Sequence, residues 1–523
     1  MSTATSVSEV ERKYEAGSEQ QIPSLSGLPG VDGEPRRDTV QLSALYYDTG
    51  ELLLLRAGIT LRRREGGDDA GWHLKIPAGA DERTELQLAP DAELPETEVP
   101  REFAELLTAV TRGAALNPVA LISTDRERQR LVDAAGTTLA EVVSDVVIAA
   151  VPEKGTGSDE RVWREIEVEL AAGDRNLFDA IDSRLTDAGI ARSDAPSKLR
   201  RALGDAVTGT PRPARRTKGS TPRTLLLEYL AAQKDSLVTA DLGVRRDLEE
   251  SVHDLRVSAR RIRSVLQVYG SSLRDQETVD ELIVELRWVG QALGSARDTE
   301  VQWSRLVDRL GGAEEIPDRE VVRARLDEYF SGLAATARPA ALAALNSRRY
   351  LDLLAGLDTF LVAVEASGDG GPSKKAVAKS LRTLSKSVHK RVRKAASATT
   401  RAERDARTHR ARKRAKRMRY AIEATRSLTP KASDRAQTKF KGFQDVLGEY
   451  QDAVVARDHI LAMVAEDQHS AESSLGLGML LQRELDRGDT LTPLVKPEWK
   501  TARKAASPKS LEVGHSRGVP PTA

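Results

Sequence analysis

Charged side chains recur at alternate positions in several short segments of the first 200 residues. Glu9, Glu11 and Lys13 are spaced by two, as are Arg62 and Arg64, Arg126 and Arg128, and Glu165, Glu167 and Glu169; Glu141 and Asp145 share the same parity. A strand sends successive side chains to opposite faces, so each set occupies one face. Carboxylates gathered on a face can hold a hard divalent cation such as Mg²⁺. Arginines fork onto phosphate oxygens, and lysines add point charges. Taken singly, each set also reads as the solvated side of a half-buried strand. Together, at least five such strands, some nearly pure acid and others nearly pure base, favour an antiparallel barrel with the charges turned inward. Its apolar faces would then pack against helices. Such an interior suits a polyanion bound through a metal.

A different spacing appears past residue 222. His253, Arg256, Arg260 and Arg263 follow steps of three and four, which places them on one helical face. The same steps return 156 residues later as His409, Arg412, Lys416 and Arg419. An apolar stripe runs beside each set: Leu255, Ala259, Ile262 and Leu266, then Ala411, Ala415, Met418 and Ile422. Downstream, Leu293-Gly294-x-x-Arg297-Asp298 recurs as Leu447-Gly448-x-x-Gln451-Asp452, so this half is a duplicated helical unit. A basic face can simply be solvated, but solvation needs no register after duplication. Residues 374–419 also hold 19 Lys and Arg against two acids, a charge that opposes compaction unless an anion offsets it. The stripes therefore read as a polyanion site. Neither histidine has a second ligand one turn on, so they read as donors to a phosphate or carboxylate rather than as metal ligands.

The composition fits two modules. The chain has 523 residues, 40% hydrophobic and 30% charged, enough to bury sizeable cores. It has no cysteine, which excludes disulfides, thiol nucleophiles and cysteine-ligated metals. No signal-peptide pattern opens it, and no apolar run approaches the ~18–20 residues of a membrane span, so the expected location is the cytoplasm. The net charge of +1 conceals 24 Lys and Arg against 37 acids in residues 1–204, and 56 against 42 thereafter. The Pro-, Gly- and Arg-rich stretch 205–221 reads as a linker. The expected organisation is an α+β, mostly strand domain at 6–204, an all-α domain at 222–465 and a tail at 466–523, with the last ~20 residues disordered.

The N-terminal signature Glu9-x-Glu11-x-Lys13 resembles that of CYTH domains, or triphosphate tunnel metalloenzymes. The resemblance continues through Tyr46-Tyr47-Asp48-Thr49, Leu61-Arg62-x-Arg64, His73-Leu74-Lys75, Arg83-x-Glu85, Arg126-x-Arg128, Glu141-x-x-x-Asp145, Glu165-x-Glu167-x-Glu169 and Ser197-Lys198-Leu199-Arg200-Arg201. It implies an eight-stranded antiparallel tunnel that binds a triphosphate and one or two divalent metals, Mg²⁺ or Mn²⁺. Carried over by position, Glu9, Glu11, Asp145, Glu165, Glu167 and Glu169 would hold metal and orient water. Lys13, Arg62, Arg64, Lys75, Arg126, Arg128 and Lys198 would bind phosphates, with Glu9, Glu11 and Lys13 the catalytic set. Glu85 is expected to pair with a tunnel arginine. His73 stands where the family often has Thr, and Arg63 and Arg130 add cations of undetermined facing.

The helical half resembles a CHAD domain, the conserved histidine α-helical module often found behind CYTH domains, over roughly 222–465. That resemblance implies two pseudo-symmetric bundles around a basic cavity that binds inorganic polyphosphate through His253, Arg256, Arg260, Arg263, His409, Arg412, Lys416 and Arg419. Nucleic acid is the rival ligand, disfavoured by an aromatic content of only 4% and no base-reading motif. An anionic membrane surface is disfavoured because the stripes adjoin no exposed aromatic or leucine-rich face that would insert. The expected function is metal-dependent hydrolysis of inorganic triphosphate or a related triphosphate in the tunnel, with polyphosphate binding by the helical domain. The alternatives are a non-catalytic polyphosphate-binding protein associated with granules, a thiamine triphosphatase and an adenylate cyclase.

Overall fold

The computed structural model describes residues 4–17, 20–79, 81–90, 95, 98–152, 158–195, 197–204, 221–368, 370–466 and 471–506. Contacts divide the chain into two compact units, Met1–Arg212 and Pro213–Ala523. The expected linker, apart from Thr221, and the expected C-terminal disorder lie outside the described residues. No helix among the described residues is long and apolar enough to cross a membrane.

The first unit is a closed antiparallel barrel of eight strands. They are β1 (Thr5–Ala16), β2 (Arg36–Asp48), β3 (Thr60–Glu65), β4 (Gly71–Pro77), β5 (Glu82–Leu88), β6 (Asn117–Val132), β7 (Thr138–Pro152) and β8 (Ser158–Leu170). Around the barrel the order is β1-β5-β4-β3-β2-β6-β7-β8. Four helices accompany the strands: α1 (Leu53–Arg56), α2 (Arg101–Thr111), α3 (Arg175–Asp187) and α4 (Lys198–Leu203).

Alternation decides which residues face in. Ile166 and Val168 of β8 join Tyr14, Val142, Leu177, Phe178 and Ile181 in a buried core on the outer wall under α3. The opposite parity of β8 turns Glu165, Glu167 and Glu169 into the barrel. Along β6 the inward face changes from Ala120 and Ile122 to Arg126 and Arg128. The apolar end of the interior is filled by Ala44, Tyr46, Ile122, Val147 and Ala149 together with Leu199, Ala202 and Leu203 of α4. Ser197 caps α4 by accepting from the Arg200 amide, which fixes Lys198 as its first residue.

The second unit is helical. Its elements are α5 (Pro222–Arg245), α6 (Ser251–Tyr269), α7 (Gln276–Ala292), α8 (Gly294–Gly311), α9 (Arg319–Leu345), α10 (Arg348–Ala366), α11 (Lys374–Ala396), α12 (Arg401–Ala424), α13 (Pro430–Ala465), α14 (Ala471–Leu491) and α15 (Val495–Ala505). The two basic stripes lie on α6 and α12, which pack against each other. The apolar stripes are buried: Leu255, Ala259, Ile262 and Leu266 on α6, and Ala411, Ala415, Met418 and Ile422 on α12. The copies differ further on. Leu293-Gly294 interrupts the helix between α7 and α8, whereas Leu447-Gly448 lies inside the continuous 36-residue α13.

A charged tunnel and a cationic helix pair

The barrel sorts its inward charges by strand. The acids come chiefly from the contiguous strands β7, β8 and β1, and the cations chiefly from β3, β4, β5 and β6 on the remaining wall, where Glu85 of β5 and Asp38 of β2 are the acidic exceptions. At the β6–β7 seam Asp145, fully buried, accepts from Arg126 Nε at 2.8 Å and Nη2 at 2.7 Å. Arg126 also reaches Glu167 at 3.0 Å. Asp145, Glu165 and Glu167 are close enough together to hold a metal ion. The ammonium of Lys198 lies 2.8, 2.8 and 2.9 Å from the same three carboxylates. Lysine at a helix N-terminus opposes the helix dipole, and these acids more than compensate. They raise the Lys198 pKa well above its usual value against the cost of burial. Lys13 pairs with Glu167 and lies 3.3 Å from Glu11.

The other acids sit toward the β1–β5 seam. Lys75 donates to Glu9 Oε1 at 2.6 Å, and Arg83 to Glu11 Oε1 at 2.8 Å. Glu9 Oε2 is buried without a hydrogen-bond partner. Against the cost of burial, Lys13, Lys75 and Arg83 hold Glu11 down at about 2. Glu169 goes the other way: its tip meets solvent, yet the surrounding protein and the nearby Glu9 and Glu11 carboxylates push it up to about 7. Glu9, Glu11 and Glu169 offer hard oxygen donors, one of them unpartnered, that fit a divalent ion in charge and chemistry, while the carboxylates that stand within 4.8 Å of one another are Asp145, Glu165 and Glu167.

On the cationic wall, Arg62 donates to the Tyr46 hydroxyl at 3.3 Å and lies 3.8 Å from Glu85. Glu85 is also 2.9 Å from His73 Nδ1 and accepts from Gln87 at 3.0 Å. Arg64 is buried, with its Nε unpartnered. Burial and the charges of Arg62 and Arg126 push its pKa down to about 9. Arg128 donates to both oxygens of Asp38 at 2.9 Å. Arg130 pairs with Asp38 and lies 3.6 Å from Glu141, so it shares the inward parity; Arg63 lies 3.8 Å from Glu65. Every tunnel residue singled out from the sequence thus lies on the inward parity or reaches the acids from α4. Arg83, Tyr46 and Asp38 extend that set. Arg83 shares the parity of Glu85, and that spacing was the signal for it.

In the helical unit, Arg256 donates to the Gly294 carbonyl at 3.0 Å and to Asp298 at 3.2 Å. His409 Nδ1 is 2.6 Å from Gln451 Oε1. Between α6 and α12 the cations face each other. The Nε atoms of Arg260, Arg412 and Arg419 are buried without partners. Burial, followed by the charges of Arg260 and Arg412, pushes Lys416 down to about 6. His253 is likewise held below its usual range by burial and by Arg297. Arg263 faces Arg260 and Arg287. The repeat thus brings seven of the eight expected stripe residues to buried or half-buried positions crowded by cations, with Arg256 held by Asp298.

A closed antiparallel barrel with an acidic and a cationic inner wall, followed by a duplicated helical unit with a cationic seam, defines the class. The CYTH domain profile matches residues 8–203, and the CHAD domain profile matches residues 228–461. An uncharacterised protein of Mycobacterium tuberculosis (strain H37Rv) is 36% identical over 500 residues, covering 91% of this chain and 93% of that protein. The chain therefore belongs to the family in which a CYTH domain, the triphosphate-tunnel fold, precedes a CHAD domain. A thiamine-triphosphatase of Macaca fascicularis is 40% identical over 74 residues, 14% of this chain and 28% of that enzyme. Among solved structures, PptA from Streptomyces chartreusis is 21% identical with a TM-score of 0.45, covering 54% of this chain and 100% of that one. The CHAD domain from the plant Ricinus communis is 24% identical with a TM-score of 0.44, covering 54% and 92%.

Proposed function

We propose that the barrel is a divalent-metal-dependent triphosphatase and that the helical unit binds inorganic polyphosphate. The observation that carries the first half is the segregation of acids and cations onto facing walls of one closed barrel. A triphosphate needs cations along its length, and its hydrolysis needs negative charge stabilised as it develops on the leaving phosphate. Arg62, Arg64, Arg126, Arg128 and Lys75 supply the cations. Glu9, Glu11 and Glu169 would hold Mg²⁺ or Mn²⁺, which would supply Lewis-acid stabilisation of the phosphate charge and a more acidic water. Asp145, Glu165 and Glu167 anchor Lys198 and Arg126, so those cations are positioned before substrate arrives. Lys13 keeps Glu11 and Glu167 ionised. The similarity to a thiamine-triphosphatase supports a triphosphate as the substrate class.

The second half rests on the unpartnered Nε atoms of Arg260, Arg412 and Arg419 and on the neighbouring Lys416. A cation cluster of this kind is stabilised by a flexible polyanion with charge at every repeat. On this reading the helical unit docks the protein on polyphosphate granules.

The test is phosphate release from inorganic triphosphate, ATP and thiamine triphosphate, with Mg²⁺, with Mn²⁺ and with chelator. Wild type is expected to release phosphate only with metal, and Glu11→Ala to lose about 100-fold or more of that rate. Release that survives chelation or Glu11→Ala would refute the metal assignment. No release from any substrate, with polyphosphate binding retained, would make the protein a binding module.

A further inference from the structure

The β3–β4 hairpin, Glu65-Gly66-Gly67-Asp68-Asp69-Ala70-Gly71, is used by neither the metal trio nor the phosphate wall, yet it touches both arginines at that end of the wall. Asp69 forms an ion pair with Arg64, and Asp68 lies 3.2 Å from Arg128 Nη1. The glycines permit the approach. Gly66 and Gly67 sit at φ of +79° and +78°, and a Cβ on Gly66 would stand 2.3 Å from the Gln41 carbonyl oxygen of β2. The hairpin base is pinned from inside the barrel: His73 Nε2 donates to the Asp69 carbonyl at 2.7 Å, and its Nδ1 lies 2.9 Å from Glu85.

Two features single these aspartates out from ordinary surface acids. Their partners are not surface arginines, because the side chains of Arg64 and Arg128 are only 9% and 18% exposed. The aspartates themselves stay wet, at 46% exposed for Asp69 and 85% for Asp68, so releasing them into solvent costs little. A carboxylate on an arginine fork has the charge and geometry of a phosphate oxygen pair. On the reading of the cationic wall as a phosphate site, on which this inference rests, an anion that reaches Arg64, or the Nη1 edge of Arg128 that the Asp38 pair leaves open, must displace the two aspartates.

We propose that Asp68 and Asp69 form an acidic latch, an internal competitor that weakens every phosphate anion at Arg64 and Arg128 and helps to expel product. Because the competition multiplies the dissociation constant of each such anion by the same factor, short, weakly held phosphates fall out of the occupied range first. Triphosphate, with more charge and more contacts along the wall, remains bound.

The experiment uses the full-length protein, its Asp68→Asn and Asp69→Asn variants and the double variant, titrated calorimetrically with inorganic triphosphate and pyrophosphate at low ionic strength without metal. Asparagine keeps size and hydrogen bonding while removing the charge. Affinity for triphosphate is expected to tighten roughly threefold in Asp68→Asn and about tenfold in Asp69→Asn, with pyrophosphate tightening in parallel. In turnover, KM should fall without a rise in kcat, and inhibition by pyrophosphate should strengthen. Wild type that binds triphosphate, with variants that bind no tighter, would overturn the latch and leave the tunnel reading intact. No binding by wild type or by either variant would overturn both. Asp68→Asn is a solvent-exposed change, so the test does not depend on the variant nearest the barrel interior folding normally.

Discussion

The two units handle positive charge in opposite ways. In the barrel, Arg126, Lys198, Lys13, Lys75 and Arg83 each contact a carboxylate, and the interior is held together by those pairs. In the helical unit, Arg260, Arg412 and Lys416 crowd one another around a single nearby carboxylate, Asp452, and burial still holds Arg412 and Lys416 below their usual values. A pre-paired site is rigid and selective, because a ligand must match the geometry well enough to replace internal partners. An unpaired site is indifferent to fine geometry and attracts charge density, which suits a repetitive polymer of variable length. The difference also sets the cost of mutation. Removing one member of a buried pair strands the other, whereas removing one of several mutually repelling cations relieves strain in the free protein.

The largest effect should therefore come from the barrel. Asp145→Asn leaves Arg126 without its bidentate partner and deprives Lys198 of one of three carboxylates, in a fully buried position. A loss of about 3–5 kcal/mol in the unfolding free energy of that unit is expected by chemical denaturation. A loss below about 1 kcal/mol would mean that the barrel pairs are not structural. Next in size, reversing charge at Arg260 and Lys416 together (Arg260→Glu with Lys416→Glu) should lower polyphosphate affinity by about 100-fold or more, read by calorimetry. Triphosphate hydrolysis should stay within about twofold. Equal loss of both activities would collapse the two-site comparison.

How far the sequence reached depends on what periodicity encodes. Parity along a strand tells which residues share a face, so the inward position of Glu9, Glu11, Arg62, Arg64, Arg126, Arg128 and the three β8 glutamates was legible. The repeat of His253 to Arg263 as His409 to Arg419 likewise revealed the duplicated helices and their buried stripes. Partnership is not encoded that way. Lys198 precedes a short helix far along the chain, and nothing in its spacing says that its ammonium ends among Asp145, Glu165 and Glu167. Glu85, expected to pair with an arginine, meets His73 more closely than Arg62 because His73 is separated from it only by adjacent-strand pairing. The hairpin aspartates look like ordinary turn residues until the closed barrel brings Arg64 and Arg128 beneath them. Helix continuity at Leu447-Gly448, against the break at Leu293-Gly294, is a tertiary decision that two matching glycine motifs cannot reveal.

A smaller effect separates the units by pH. Lys416, pushed down to about 6, is mainly neutral at pH 7 in the free protein. A bound polyanion raises that pKa, so binding takes up a proton. Affinity should be greatest below pH 6 and fall as pH rises, by about tenfold between pH 6 and 8. Calorimetry at pH 7 in buffers of different ionisation enthalpy should register the uptake, and Lys416→Met should abolish it. The barrel lysines Lys13 and Lys198, raised by their carboxylates, are charged throughout this range and contribute no such dependence. Affinity that is flat across pH 6–8 would show that Lys416 stays out of contact with the ligand.

The smallest effect tests the comparison inside the helical unit, between two residues that duplication made equivalent. Arg261 on α6 is paired: it lies 3.4 Å from Glu423 and 3.3 Å from Gln233 Oε1, and its guanidinium sits 5.7 Å from the centre of the Tyr420 ring. Its mate Arg417 on α12 meets Arg414, Arg263 and Arg391, and burial together with those charges pushes it down to about 10. One copy of the motif has turned its arginine into a helix–helix tie, and the other has left it facing cations. Arg417→Gln should then weaken polyphosphate roughly threefold while leaving stability unchanged or slightly raised. Arg261→Gln should leave polyphosphate affinity alone and cost about 0.5–1 kcal/mol of stability. Polyphosphate titration and denaturation of the two variants side by side read both outcomes. If Arg261→Gln weakened the ligand as much as Arg417→Gln, pairing would not be what separates structural from binding cations in this protein.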